Sequence, residues 1–343
     1  MSRSDLDRSR PLPEALHARG SKRGGHPRPH LRVLLVGLII PAAVVSACGS
    51  PPTPTRSPAP SAYENSLPPA AVDTAPAPSQ PQAGSSFVPS GPVQVPLIPG
   101  VDQANADYIA YSSGILATLR TDVDALRSDL ASSDLSSARR DWLAAQLDWE
   151  RVGASYDSFG ALGIAVDGLP DGLPEGVNDP AFTGLHRLEY GLWHDQSAAT
   201  LLPIADRLVA DVAAVATHLS DPDLAGNPLS LTLRVHEILE DALRDHLSGI
   251  DDEGAGAAYA ETSADIDATR AVLGMVGPLL DPHLVADTTS QMDELVAALQ
   301  DAKQSGQWLA PVATPLPTRQ RIDAALGQVL ETLAIFPDLL KDD

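Results

Sequence analysis

The sequence predicts an all-α protein built from about eight helices. From Val101 onward, apolar residues recur at intervals of three and four, which is the period of an amphipathic helix. No run of residues alternates between apolar and polar in the way that a half-buried strand would. Because helices joined by short connections form antiparallel bundles, we expect two groups of about four helices, each with its own core.

The predicted helices have approximate bounds that follow the periodic segments. The second helix is predicted by an eight-residue stripe made of Leu135, Ala138, Trp142, Ala145, Trp149, Val152, Tyr156 and Phe159. Capping residues before proline predict three helix starts, at Asp179, Asn227 and Asp281. The segment 160–179 is rich in Gly and Pro, and we expect it to be a functional loop. In chain order, the predicted helices are 102–131, 135–159, 180–195, 200–219, 228–248, 257–277, 282–305 and 322–336.

The charge balance argues against a nucleic-acid-binding protein. The chain of 343 residues has 23 Lys and Arg against 45 Asp and Glu, a formal net charge of -22. Affinity for a phosphate backbone depends on clustered Lys and Arg, so we expect no nucleic acid partner. With a single Cys, the printed sequence can form no internal disulfide.

The first 47 residues carry the signals of an exported protein. Eight Lys or Arg precede an apolar stretch, 33–47, that is too short to span a bilayer and contains Pro41. The stretch ends in Val45-Ser46-Ala47-Cys48-Gly49, which resembles the lipobox of bacterial lipoproteins. We expect residues 1–47 to be a lipoprotein signal peptide and Cys48 to be lipidated. The alternative is an ordinary secretory signal cut near Ala47 beside an incidental thiol.

Residues 48–100 are predicted to form a disordered tether. Between residues 49 and 100 there are 14 prolines among Ser, Ala, Thr and Gly, with few large apolar side chains. Such a segment cannot bury enough surface to offset its ordering entropy. We therefore expect it to hold the folded region, 101–343, away from the outer face of the cytoplasmic membrane.

One predicted helix places polar residues where core residues are expected. Phe182, His186, Glu189 and Trp193 share a narrow stripe beside a row of leucines. A buried imidazole and carboxylate require a partner, and Glu150 and Asp167 could supply it. Three carboxylates and one imidazole suit iron, manganese or zinc. The alternative is a metal-free arrangement, in which a His–Glu hydrogen bond or a pair with Arg187 or Arg151 satisfies both groups.

The residues around this stripe resemble a known family. Asp179 to Glu189 (DPAFTGLHRLE), followed by Leu192-Trp193, is similar to the G-x-H-x-x-E signature of imelysin-like proteins, and within them to the EfeO/EfeM-type components of bacterial iron uptake systems. Trp149-Glu150-Arg151-Val152 and Val166-Asp167 resemble two upstream motifs of the family. The resemblance covers roughly residues 101–340.

The resemblance implies a fold and a function. The fold is a pair of antiparallel four-helix bundles, and the function is extracytoplasmic iron binding without catalysis. The implied metal ligands are Glu150, Asp167, His186 and Glu189, with iron, or zinc or another divalent cation, as the metal. The implied partners are the membrane, reached through the lipid anchor, an iron permease and a haem-dependent peroxidase.

The sequence also departs from the family. Leu169 replaces an Arg that many relatives have, and the family's acidic and aromatic run after Gly249 is replaced by residues 250–259. Because of these differences, the sequence does not show whether the second half of the family's cleft still completes a metal site. The sequence pattern does not indicate a ligand role for the histidines on or near the other predicted helices, which are His194, His218, His236, His246 and His283.

Two other functions remain open. Imelysin-like proteins have been classed with peptidases, but Tyr190 stands where an H-x-x-E-H motif needs its second His. The segment 236–240 (HEILE) ends in Glu where H-E-x-x-H needs a His. The third reading is an adhesion or scaffold lipoprotein, whose bundle serves only as a surface for a partner.

Overall fold

The computed structural model describes residues 95–155 and 158–342, and the structural statements below concern these residues. This part of the chain is mainly helical, with one short hairpin and an isolated bridge between Leu97 and Lys341, which confirms the predicted all-α class. The predicted signal peptide, Cys48 and the tether as far as residue 94 lie outside the described residues. None of the helices described is both long enough and apolar enough to cross a bilayer.

Ten α-helices and two short strands make up the regular structure of the described residues. The strands pair antiparallel through Lys303 with Trp308 and Gln304 with Gln307. The elements in chain order are α1 (Val101–Ser132), α2 (Leu135–Val152), α3 (Gly160–Asp167), α4 (Gly184–Trp193), α5 (Ala198–His218), α6 (Pro228–Asp241), α7 (Ala258–Val276), α8 (Pro282–Gln300), β1 (Lys303–Gln304), β2 (Gln307–Trp308), α9 (Leu316–Leu333) and α10 (Phe336–Leu339).

The longer helices pack as two groups of four. In the first group, α1 contacts α2, α2 contacts α4, α4 contacts α5 and α5 returns to α1. In the second group, α6, α7, α8 and α9 form a similar ring. The two groups meet where α2 packs against α7 and where α1 packs against α6 and α7. This packing agrees with the predicted pair of bundles and places α2 and α7 at their junction.

The second helix is shorter than its sequence pattern predicts. Helix α2 ends at Val152, because Gly153 adopts a left-handed conformation (φ 72°) and its N–H bonds to the carbonyl of Glu150. Phe159 lies beyond this break and still packs on Trp149, with ring centroids 5.8 Å apart. The prediction of one helix as far as Phe159 is therefore wrong. The apolar period shows which side chains are buried, but it does not show that the helix continues without a break. Tyr156 lies outside the described residues.

The predicted loop 160–179 is also partly helical. Its first eight residues form α3, which packs against α4 and α5, and the rest contains a single 3₁₀ turn at Gly176–Asn178. The prediction of a loop is wrong for Gly160–Asp167. An eight-residue helix is marginal by itself, so α3 depends on tertiary packing that a local pattern does not record.

Two of the three predicted N-caps are confirmed. The Asn227 side chain accepts a hydrogen bond from the N–H of Leu229, and the Asp281 side chain accepts one from His283. Asp179 instead accepts from the N–H of Ala181 in a turn that precedes α4, and α4 begins only at Gly184. The prediction of Asp179 as a helix cap is wrong.

Candidate metal centre

Helix α4 turns its polar pair into the protein interior. Phe182, His186 and Glu189 are all buried, with exposed fractions of 3%, 3% and 2%. Leu185, next to His186, is fully buried on the neighbouring face. The predicted inward stripe is therefore confirmed for these three residues, although Phe182 precedes the helix and is not part of it. Its fourth member, Trp193, is only half-buried.

Gly184 lets the ends of two helices meet. Its φ of 85° lies in the left-handed region, and a Cβ added there would be 2.2 Å from the carbonyl oxygen of Val166. The start of α4 thus lies directly against the last turn of α3. Because Asp167 follows Val166, this close approach brings the Asp167 carboxylate to the His186 ring.

Two side chains of α2 fix α4 in place. The indole N–H of Trp142 donates to the carbonyl of Leu185 at 2.9 Å. The Arg139 guanidinium donates to the carbonyl of Leu192, near the C-terminal end of α4, at 3.0 Å through Nε. Both bonds use backbone acceptors, and the second satisfies a carbonyl of the last turn that has no partner within its helix.

The imidazole of His186 lies between two carboxylates. Its Nδ1 is 3.2 Å from Glu189 Oε2, and its Nε2 is 3.4 Å from Asp167 Oδ1. Glu189 Oε1 also accepts a hydrogen bond from the N–H of Ala255, at 2.9 Å. Burial by itself would lower the pKa of His186, but the two carboxylates outweigh it and raise that pKa well above its ordinary value.

Glu150 joins this arrangement through an amide. Gln146 Nε2 donates to Glu150 Oε1 at 2.7 Å and to Asp167 Oδ1 at 3.1 Å. Glu150 forms no ion pair with His186 within the described residues. His186 therefore contacts Asp167 and Glu189 at opposite nitrogens of its ring, and Gln146 connects Glu150 to Asp167.

The second oxygen of Glu150 faces a histidine that the sequence did not indicate. Glu150 Oε2 is 3.8 Å from Nε2 of His246, and Asp265 Oδ2 is 2.9 Å from the same nitrogen. The other nitrogen, Nδ1, has a very short contact with Asp251 Oδ2 and lies 3.8 Å from Glu261 Oε2. The sequence did not indicate a ligand role for His246, yet four carboxylates surround it.

A local irregularity presents His246 to this cluster. After α6 the chain forms a π-helical turn, Ala242–His246, in which the N–H of Leu247 bonds to the carbonyl of Ala242, five residues back. Such a turn rotates the residues that follow it relative to a regular α-helix, and π turns are frequent at functional sites. His246 is 6% exposed as a result.

The replaced segment after Gly249 contributes to the site. Asp251 belongs to that segment, and it is 4% exposed and in contact with His246. Glu261 and Asp265 lie one turn apart on α7 and are also buried. The second half of the cleft is therefore acidic even though it lacks the family's pattern.

Burial raises the pKa values of four of the six carboxylates in the cluster. It raises the pKa of Asp265 to about 8 and that of Asp167 to about 7, although the neighbouring histidines act in the opposite direction. Burial also raises the pKa of Glu189, and it raises that of Glu261 well above its ordinary value. The carboxylates of Asp251 and Asp265 outweigh burial at His246 and raise its pKa. Protons therefore partly neutralise the cluster near pH 7.

The cluster holds more negative than positive groups. In the part of the chain that is described, its six carboxylates form ion pairs with His186 and His246, and they belong to Glu150, Asp167, Glu189, Asp251, Glu261 and Asp265. Arg244 also lines the cavity, where it pairs with Asp241 and Asp245. The two arginines that the metal-free alternative requires are engaged elsewhere: Arg187 donates to Gln196, and Arg151 pairs with Asp148 and Asp267. Of the contacts that the metal-free alternative requires, the hydrogen bond between His186 and Glu189 is present.

A cavity of about 170 Å³ connects the two histidines. Oδ1 of Asp251 is buried and has no hydrogen-bond partner within the described residues. Unpaired buried oxygens beside imidazole nitrogens are the donor set that a divalent cation uses, so the residues fit a metal. The cavity is lined among others by Trp149, Glu150, Phe159, Asp167, His186, His246, Asp251 and Asp265.

The other four histidines of the described residues lie apart from the cluster. His194 is exposed and stacks on Tyr190, and His218 pairs with Asp221 on the surface. His236 Nδ1 lies 3.3 Å from Glu240 Oε2, one turn along α6. His283 is exposed at the start of α8. None of these four lines the cavity.

Comparison with known proteins places this helical domain in a family. The chain belongs to the imelysin family (Peptidase_M75), whose sequence profile matches residues 104–335. It is similar to proteins named "Iron uptake system component EfeO". The relative from Escherichia coli O1:K1 / APEC is 25% identical over 182 residues, which cover 52% of this chain and 48% of the relative. Those from Escherichia coli (strain K12) and Shigella flexneri are 24% identical over the same length. The chain thus spans about half the length of these relatives.

Proposed function

We propose that this protein is an exported, lipid-anchored component of an iron uptake system, and that it binds iron without transforming it chemically. Membership of the imelysin family and similarity to the EfeO proteins support the connection with iron uptake. The metal is cargo, and the role of the protein is to hold it outside the cytoplasm and pass it on.

The observation that carries this proposal is the buried acidic cluster. Six carboxylates and two imidazoles lie close together, and both imidazoles line the cavity with four of the carboxylates, those of Glu150, Asp167, Asp251 and Asp265. Buried charges are costly unless they are paired or bound to a metal. A cation entering the cavity would offset that cost, because it replaces the protons that otherwise neutralise the cluster.

The proposed ligands are Glu150, Asp167, His186 and Glu189. The contacts of His186, with Asp167 through Nε2 and with Glu189 through Nδ1, support the proximity of three of them, although the two carboxylates lie on opposite sides of the ring. Glu150 is supported by the Gln146 amide, which donates both to it and to Asp167. Such a set, mostly oxygen with one imidazole, suits iron, and it would also accept zinc or another divalent cation.

A titration tests the ligand set. The purified protein would be titrated anaerobically with Fe²⁺ and, separately, with Zn²⁺, and bound metal would be measured by equilibrium dialysis. We expect saturable binding that His186→Ala and Glu189→Gln each reduce by at least one equivalent. His283→Ala and Glu294→Gln are matched controls, because both residues are exposed on α8. Binding that is absent, or that is equal in all five proteins, would remove the proposal.

The proposed location rests on the sequence before residue 94. The lipobox-like segment predicts that Cys48 carries the anchor and that the membrane is one partner of the protein. An iron permease and a haem-dependent peroxidase are the other proposed partners. Expression of Cys48→Ser in a bacterial host should move the protein from the membrane fraction to the soluble extracytoplasmic fraction. Retention in the membrane would argue against the anchor.

The structure gives little support to the peptidase alternative. The near-miss motif on α6 pairs His236 with Glu240, and neither residue lines the cavity. Around His186, the position that follows Glu189 is Tyr190 and offers no second imidazole. A hydrolytic zinc needs several ligands, an open coordination position and a general base together. New termini in casein after incubation with the zinc-loaded protein would revive this alternative.

A further inference from the structure

The two nitrogens of His246 face different pairs of acids. On the Nε2 side, Asp265 lies 2.9 Å away and Glu150 lies 3.8 Å away. On the Nδ1 side, Asp251 is in short contact and Glu261 lies 3.8 Å away. One ring is thus shared between two acidic groups, and neither group includes His186 or Glu189.

The Nδ1 side has oxygens without partners. The Glu261 side chain is 6% exposed, and in the described part of the chain its only polar contact is the distant one with His246, which is too long for a hydrogen bond. Oδ1 of Asp251 is buried and has no hydrogen-bond partner there either. A buried carboxylate that accepts no hydrogen bond is unusual, and each such group requires an explanation.

The Nε2 side has the partner that a metal-binding histidine uses. A ligating imidazole generally donates its other N–H to a carboxylate, which fixes the tautomer and the orientation of the ring. Asp265 Oδ2 lies 2.9 Å from Nε2 and has no hydrogen-bond partner within the described residues, so it is free to accept from a proton kept on Nε2 after a small reorientation. Nδ1 would then present its lone pair to the space between Asp251 and Glu261.

We propose that a second cation binds on the Nδ1 side of His246, ligated by His246, Asp251 and Glu261. Three ligands from separate segments meet there: the π turn, the loop after it and helix α7. One nitrogen and two carboxylates suit Zn²⁺, Mn²⁺ or Fe²⁺, with water completing the coordination. The site requires none of Asp167, His186 and Glu189, so it stands or falls separately from the proposed iron ligands.

Stoichiometry tests this site. The purified protein, stripped of metal, would be titrated with Zn²⁺ by calorimetry and equilibrium dialysis. We expect two equivalents in the unaltered protein and in the Glu294→Gln control, and one equivalent in Glu261→Gln and in Asp251→Asn. Glu189→Gln should also retain one equivalent, because it alters only the other site. Circular dichroism spectra would check that each variant is folded.

The possible outcomes separate the two proposals. If Glu189→Gln abolishes all binding and Glu261→Gln changes nothing, the second site is overturned and the first survives. If Glu261→Gln abolishes all binding and Glu189→Gln changes nothing, the second site is supported and the first ligand set fails. Two equivalents in Glu261→Gln would overturn the second site, and so would an unaltered protein that binds no zinc.

A spectroscopic measurement needs no variant and therefore does not depend on variant folding. Long-range ¹H–¹⁵N correlation spectra of the uniformly ¹⁵N-labelled protein report which imidazole nitrogen is protonated. With Zn²⁺ bound, we expect His246 to keep its proton on Nε2 and to ligate through Nδ1. Ligation through Nε2, or a His246 signal that zinc leaves unchanged, would overturn the proposal.

Discussion

Gly184 lies against the backbone carbonyl of Val166, so closely that a methyl group on its Cα would come within 2.2 Å of the oxygen. This contact joins the end of α3 to the start of α4, and it therefore sets the distance between Asp167 and His186. The glycine of the G-x-H-x-x-E motif thus has a physical task, which is to bring one carboxylate to the imidazole.

Replacing this glycine should damage both the fold and the site. Gly184→Ala adds a Cβ where φ is 85° and where the carbonyl of Val166 already lies. A left-handed conformation costs a non-glycine residue about 1–3 kcal/mol, and relief of the clash must also move α3. We expect the free energy of unfolding in urea to fall by at least about 1 kcal/mol and metal affinity to fall with it.

Gly327→Ala is the matched control for that experiment. Gly327 lies within α9, and nothing lies within 4 Å of a Cβ added there. Because Ala favours a helix over Gly, this change should stabilise the protein by about 0.5–1 kcal/mol. Equal effects of the two substitutions would show that the contact between Gly184 and Val166 is unimportant.

The stability of the metal-free protein should fall as pH rises. The folded-state pKa values of Asp265 (about 8) and Asp167 (about 7) lie above the value near 3.9 of an unfolded Asp. Such groups contribute stability that is complete below pH 3.9 and is lost as pH rises through their folded pKa. His186 and His246 act in the same direction, because their folded pKa values are also raised. The pKa of Asp251 is lowered, so its own contribution is lost only under more acidic conditions.

Thermal unfolding in chelator between pH 5 and 9 measures this effect. Each proton that only the folded state holds changes the free energy of unfolding by about 1.4 kcal/mol per pH unit. We expect Tm to decrease across the range and the decrease to be smaller in Asp265→Asn. Added Zn²⁺ should reduce the pH dependence, since the metal replaces the protons. A Tm that rises from pH 5 to pH 9 would contradict the raised pKa values.

Gln146 should control metal affinity without being a ligand. Its amide donates to Glu150 and to Asp167, and so it holds two proposed ligands in position. Loss of such an outer partner typically lowers metal affinity by about 10- to 100-fold. We expect Gln146→Leu to raise the dissociation constant for Zn²⁺ within that range, as measured by competition with a chelator.

The control for this change is Gln103→Leu. Gln103 is exposed on α1 and donates only to Asp107, one turn away. Its substitution should leave the dissociation constant unchanged. An unchanged affinity in Gln146→Leu would mean that Glu150 and Asp167 do not depend on the shared amide.

Trp142 should stabilise the fold through a single hydrogen bond as well as through packing. The fully buried indole donates to the carbonyl of Leu185. Trp142→Phe leaves that carbonyl without its partner, at a cost of about 1–3 kcal/mol, and removes further packing volume. Trp308→Phe should lower the free energy of unfolding by less, because Trp308 is only half-buried in the hairpin. Urea unfolding of both variants measures these costs. Equal decreases in the free energy of unfolding would argue against the role of the hydrogen bond.

The sequence predicted the features that local patterns record. The periods of three and four marked the eight long helices, and the caps at Asn227 and Asp281 placed two of their starts. The buried pair His186 and Glu189 was visible because both residues stand on an apolar stripe. Glu150 and Asp167 were candidate partners for that pair from the sequence, and the family resemblance then matched both to upstream motifs.

The rest of the candidate site depends on contacts that are remote in sequence. His246 reaches the cluster because of a π turn, and the regular helical period gives no sign of such a turn. Asp251 belongs to a segment whose composition suggested a lost site. A weak signal was present on α7, where Glu261 and Asp265 stand four residues apart among alanines, but only the packing of α7 against α2 gives it meaning.

Side chains from both helical bundles line one cavity. Glu150 and His186 come from the first bundle, whereas His246 and Asp265 come from the second. The proposed iron ligands all belong to the first side and the ligands of the second cation to the other, but Glu150 lies only 3.8 Å from His246. Occupancy of either site and the packing of α2 against α7 would then be linked thermodynamically, so that separation of the two bundles would favour release of the metal.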